Sequence, residues 1–298
     1  NMDVPISVAA VTGDRLVAEN RNEITDLKKM IAGISIKDGS NDADRAIQIR
    51  GVGTATFSRG VEQSVGTVID GVVASSAVAG LLDMGDVERV EVLRGPQGML
   101  FGKNASAGLL NITTKAPTSE LSYGGSASFG DENERKYSAY LSGPIADESL
   151  MGRISVYSNK RDGIIENLHP TGPDYNDRDE WGLKAKLLFE PSDDFNLLLS
   201  YTHGEREHNC CVLPVESYHN PAYSALPSGL ENDKIIEAFG SPGITDLDSY
   251  SGTINYQLGT HTLTSITSYT NNTEGDNTVG QGLPFRLVPI NLSQGDIS

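Results

Sequence analysis

The sequence predicts a mixed α/β domain followed by antiparallel strands of a transmembrane β-barrel, and three observations carry that prediction. The 298 residues divide by charge near Lys115-Ala-Pro-Thr118: residues 1–117 hold 12 basic and 14 acidic side chains, and residues 118–298 hold 11 and 26. Apolar and polar residues alternate with period two in the second part, as expected of strands with one apolar and one polar face. From the second connection on, the segments between those strands are short and long in turn. An outer-membrane barrel does this, with tight turns at one end and long loops at the other. A soluble sandwich gives no reason for long loops to gather at one end.

In the first part, Ile6–Val11 reads as a short strand. Ile24, Leu27 and Ile31 share one helical face, and Gly33 follows as a cap. Ile47–Arg50, Ser64–Ile69, Val87–Leu93 and Leu109–Thr114 read as short strands with glycine-rich connections. In the second part, Trp181, Leu183, Ala185, Leu187 and Phe189 fall on one face, with Lys184, Lys186 and Glu190 on the other. Phe195, Leu197, Leu199 and Tyr201 repeat the device, as do Gly252, Ile254, Tyr256 and Leu258. Leu121–Phe129, Tyr137–Leu141, Gly152–Tyr157 and Thr262–Tyr269 are weaker members, so about seven strands are expected.

Composition narrows the function. A net charge of −17 argues against nucleic acid, because phosphate binding needs a basic face. With 38% hydrophobic and 21% charged residues the chain is too apolar for disorder. No apolar run approaches ~18 residues, which excludes a membrane-spanning helix but not barrel strands. The start, Asn1-Met-Asp, carries no basic and apolar leader, so the chain is expected to be cytoplasmic, processed or part of a longer one.

Three segments then line up. Leu27–Gly51 contains Ala32-Gly-Ile-Ser-Ile36 and ends in Ile47-Gln-Ile-Arg50-Gly51. Glu62-Gln-Ser-Val-Gly-Thr-Val-Ile-Asp70-Gly71-Val72 comes next, followed by Val87–Lys115 with Glu91-Val-Leu-Arg94-Gly95-Pro96 and Gly102-Lys-Asn-Ala-Ser-Ala-Gly108. Together they resemble the plug domain of TonB-dependent outer-membrane receptors. The resemblance implies a plug over 1–117 and the first strands of a barrel of about 22 over 118–298. It also implies uptake of a scarce nutrient, most often a ferric siderophore, in the bacterial outer membrane. Outer-membrane lipid, the nutrient ligand and TonB of the inner-membrane complex are the implied partners. No match to the segment that TonB pulls is found in Asn1-Met-Asp.

The site residues follow as expectations. Arg50, Glu91 and Arg94 lie on or beside plug strands, where unpaired charge is costly. The resemblance implies plug arginines paired with barrel acids, either as a static network or as a latch that yields under pull. Phe57, Arg59, Ser75 and Ser76 lie on the segments expected to face outward and floor the ligand site, or else on ordinary loops. The glycines near 98–102 miss phosphate-loop spacing, and Asn104 stands where Ser or Thr is required.

The 44 residues Glu205–Asp248 read as the longest outer loop, with 8 acidic and 2 basic residues. Adjacent Cys210 and Cys211 are expected to form disulfides, with each other or elsewhere, rather than to bind metal. No catalytic set, metal site or cofactor is assigned, and the chain reads as a transporter rather than an enzyme. The other readings are a signalling receptor of the same architecture and a soluble β-rich binding or adhesion protein.

Overall fold

The computed structural model describes residues 7–21, 23–37, 46–54, 63–74, 84–98, 105–146, 149–209, 233–236 and 242–274. The first part builds a five-stranded mixed sheet from β1 (Ser7–Thr12), β4 (Val65–Ile69), β5 (Val72–Val73), β6 (Val87–Arg94) and β7 (Gly108–Thr114). Its order is β1-β6-β7-β4-β5; β4 and β7 run parallel and the other neighbours antiparallel. A separate hairpin joins β2 (Ile34–Lys37) to β3 (Ala46–Ile49).

One apolar core joins these pieces. Val90, Val92, Leu110 and Ile112 of the sheet pack with Leu16, Ile24, Leu27, Ile34 and Ile47. The expected helix over Ile24–Ile31 divides into a 3-10 turn, Ile24–Asp26, and one α-turn, α2 (Leu27–Met30). A further helix, α1 (Gly13–Ala18), was not legible. Its first residue shows why it must be glycine: a Cβ on Gly13 would sit 1.7 Å from the Val87 carbonyl oxygen.

The second part is a seven-stranded antiparallel wall in which every strand pairs with its sequence neighbours in the sheet. Its members are β8 (Ser122–Phe129), β9 (Arg135–Pro144), β10 (Leu150–Arg161), β12 (Arg178–Ser192), β13 (Phe195–Asn209), β15 (Pro242–Leu258) and β16 (His261–Glu274). All seven expected strands are present, and the period-two faces hold. Trp181, Phe189, Leu199, Tyr250, Ile254 and Tyr256 lie on the exposed side, whereas Arg153, Ser155, Asn159, Glu180 and Lys184 are buried on the other.

Aromatic residues border the exposed apolar face at both ends. Phe195 meets Tyr256 near one end, while Tyr201–Tyr250 and Trp181–His203 lie near the other. The connections at the first end, 145–149, 193–194 and 259–260, are short. Those at the second end include 162–177 and 210–241. Two short strands in these long connections, β11 (Glu166–Asn167) and β14 (Lys234–Ile235), pair parallel beside a small core of Ile165, Tyr175 and Ile235.

The expected loop Glu205–Asp248 is shorter than the sequence suggests. β13 continues to Asn209 and β15 begins at Pro242. Beyond Tyr201 both faces of the strand carry polar residues, so no apolar alternation marks it.

Candidate functional site

The seam between the first domain and the wall is the site with chemical content. It begins with a register. Arg153 of β10 and Lys186 of β12 are direct cross-strand partners, and both face the first domain. Like charges directly opposite destabilise a strand pair, and burial adds the cost of desolvation. Two acids of the first domain offset this.

Asp86, just before β6, takes Arg153 in a forked pair, with Nε 3.1 and 3.2 Å from its two carboxylate oxygens. Ser155 Oγ donates to the same carboxylate at 2.9 Å, and the Arg153 guanidinium lies 4.4 Å over the Tyr140 ring. The Arg153 side chain is only 4% exposed, so this pair is taken almost fully out of water.

Asp70 meets Lys186 at 3.0 Å and also accepts the Thr114 backbone N–H at 2.8 Å and hydroxyl at 2.6 Å. Its position follows from a local rule. Asp70 and Gly71 have φ of 49° and 83° between β4 and β5. Asp-Gly favours such a tight hairpin turn. A Cβ on Gly71 would lie 2.7 Å from Ile266 of the wall, so the turn approaches β16 closely.

A third contact joins Glu23 to Arg178, whose Nη2 donates at 3.0 Å; Nη1 donates to the other carboxylate oxygen. Glu180 lies beside this pair and accepts from Arg206 Nε at 2.8 Å and from Asn159 at 3.1 Å. The polarity at all three contacts is acid on the first domain and base on the wall.

That polarity is the reverse of the pairing expected for the domain arginines, whose partner acids are expected mostly on wall strands other than these seven. Arg94 donates to Ser7 Oγ at 3.1 Å and to the Ala32 carbonyl at 2.9 Å, both within its own domain. Glu91 accepts from Asn111 at 2.8 Å and lies 3.6 Å from Arg89, as their shared strand face requires. Arg50 occupies an exposed turn at φ 55°, and its backbone N–H donates to Gly33. None of the three makes an ion pair with the wall among the described residues.

Phe57, Arg59, Ser75, Ser76, Cys210 and Cys211 lie outside the described residues. Asp70, Asp86 and Glu23 were not singled out from the sequence. The one usable signal was the Asp-Gly turn, which places Asp70 at a strand end.

Residues 1–109 match the family model described as the TonB-dependent receptor plug domain. The chain is 34% identical over 176 residues to the pesticin receptor of Yersinia pestis, covering 56% of this chain and 24% of that protein. It is 24% identical over 251 residues to the catecholate siderophore receptor Fiu of Escherichia coli K12, covering 84% and 30%. The chain therefore spans about a quarter to a third of the length of these curated relatives.

Among solved structures, the ferric yersiniabactin uptake receptor FyuA from Yersinia pestis superposes with a TM-score of 0.75 at 21% identity, over 90% of this chain and 41% of that one. The open form of Fiu from E. coli K12 gives 0.69 at 20% identity, over 91% and 39%. The first 109 residues thus match the plug domain of TonB-dependent receptors, and nine-tenths of the chain shares the fold of the solved receptors.

Proposed function

We propose that the full-length protein is an outer-membrane receptor that imports a ferric siderophore, with the plug moved by TonB under the proton-motive force. The observation that carries this reading is how plug and wall are joined. They form separate sheets with no shared strand ladder among the described residues, and side-chain contacts such as the three acid–base pairs hold them together. Such a joint can be released without unfolding either sheet. Receptors of siderophores among the relatives make a ferric siderophore the nutrient of first choice.

In this mechanism the ligand is met at the end of the wall that carries the long connections. Phe57, Arg59, Ser75 and Ser76 are the plug residues proposed to touch it, the arginine offering charge to an anionic chelate and the ring offering a face. Pull on the plug must then separate Asp70, Asp86 and Glu23 from their wall partners. Water entering the seam solvates both halves of each pair and lowers the cost of separation. No catalytic group takes part. The signalling alternative differs in what precedes the plug, and the soluble alternative in needing no membrane.

The test is growth and labelled-iron uptake by an iron-starved strain that lacks its own receptors and expresses the full-length gene. Uptake of at least one ferric siderophore, abolished when TonB is absent, is the expected result. Uptake of none across catecholate, hydroxamate and mixed-ligand chelates would overturn the reading.

A further inference from the structure

The outward faces of β13 and β15 carry a charge arrangement that import does not use. Their register sets Glu205 directly opposite Asp246, and His203 directly opposite Asp248. Like charges so placed repel. On the inner face the corresponding basic pair, Arg153 and Lys186, is met by plug acids. On the outer face no lysine or arginine among the described residues meets Glu205 or Asp246. The Asp246 side chain makes no hydrogen bond or ion pair with another described residue, although its backbone lies in the strand ladder.

We propose that His203, Asp246 and Asp248 hold a divalent cation that ties β13 to β15 at the base of the long connection 210–241. One ligand atom from each residue falls in a cluster with all separations within 4.8 Å. His203 Nδ1 is 3.1 Å from Asp248 Oδ1. Metal bonds of about 2.0–2.2 Å put neighbouring ligand atoms about 3–4 Å apart, so this pair already has the spacing of two ligands on one ion. Rotation of the Asp246 side chain closes the third position. One imidazole with two carboxylates suits Zn²⁺ or Mn²⁺.

The surroundings are those of a built site. Metal-binding histidines commonly turn their other ring nitrogen to a carboxylate, and ligating carboxylates accept further hydrogen bonds. Here His203 Nε2 lies 3.7 Å from Glu205 Oε1, and the Tyr201 hydroxyl donates to Asp248 at 2.8 Å. The Trp181 ring lies 4.9 Å from the His203 ring, tilted by 56°, and its indole N–H donates to Glu205 at 2.7 Å, bracing both. The cation would neutralise the Glu205–Asp246 repulsion and hold the two strands together where the membrane-facing apolar surface ends.

The experiment is calorimetric titration of Zn²⁺ into full-length protein in maltoside detergent, freed of metal beforehand. Asp246→Asn and His203→Gln should each bind one Zn²⁺ fewer per chain than the wild type. Glu205→Gln, which removes no ligand but alters the carboxylate beside His203, should keep that site and weaken it about 10-fold. The same number of sites in wild type, Asp246→Asn and His203→Gln would overturn the proposal. Both variants change only outward-facing strand residues, and either one alone decides the outcome. The result is independent of whether the protein imports a siderophore.

Discussion

Asp86 and Arg94 show how differently two charged plug residues act. Asp86 neutralises a wall arginine buried from water, whereas Arg94 braces its own domain through Ser7 and Ala32. Removing one half of a buried pair typically costs about 3–5 kcal/mol, because the other half is stranded. Asp86→Ala should therefore loosen the plug on the wall, while Arg94→Ala should cost only about 1 kcal/mol within the plug. Protease susceptibility of the plug in intact outer-membrane vesicles checks both: fast nicking for Asp86→Ala and wild-type resistance for Arg94→Ala. Equal behaviour of the two variants would show that the wall contact carries no more weight than the internal one.

At this scale the sequence was least legible. Asp86 and Arg153 are 67 positions apart, and no local pattern marks one as the partner of the other. Arg50, Glu91 and Arg94 stood out because charges on a plug strand must be paired. The turn at Arg50 and the neighbours Arg89, Asn111 and Ser7 satisfy that need locally. Only the Asp-Gly pair offered a local signal that could have been read, since its backbone requirement is fixed by two adjacent residues.

Elements were far more legible, for a physical reason that also marks where legibility stops. A strand with one apolar and one polar face must alternate, and Trp181–Phe189 and Phe195–Tyr201 do so except at Leu188 and Leu198, which pair with each other on the polar face. Past Tyr201 both faces of the strand carry polar residues. Glu205, Arg206, Glu207 and His208 therefore read as loop, although they pair along β13. Short plug helices such as α1 carry too few turns for a 3.6 period to emerge.

Two predictions belong to this scale. Lysine at Leu187 or Leu199 should cost ~2–4 kcal/mol of reversible unfolding stability in lipid vesicles if those positions lie near the bilayer midplane. Lysine at Thr264, on the opposite face of its strand, should cost much less; equal costs would refute the assignment of faces. In the long connections, Tyr175 is fully buried with Ile165 and Ile235. Tyr175→Ala should remove roughly 3–5 kcal/mol of local packing. Limited proteolysis should then cut within 162–177 faster than in the wild type, with the wall strands intact.

For the whole molecule, the wall leaves β8 and β16 as edges of its sheet. Open edges are not tolerated in the hydrocarbon of a bilayer and invite aggregation. Residues 118–298 expressed alone should therefore fail to give a monodisperse species in detergent, as judged by light scattering after size exclusion. A stable folded monomer would mean that these strands close on themselves.

The plug matters to the wall in the same way. It covers the polar inner face and supplies the acids that Arg153, Lys186 and Arg178 require. Seating by these pairs is the central claim, and single-channel conductance of the full-length protein in planar bilayers tests it most directly. Wild-type protein should stay closed, while an Asp70→Asn, Asp86→Asn double variant should show frequent openings as the plug loses its hold. A double variant as silent as the wild type would contradict the claim that plug acids on wall bases keep the barrel shut.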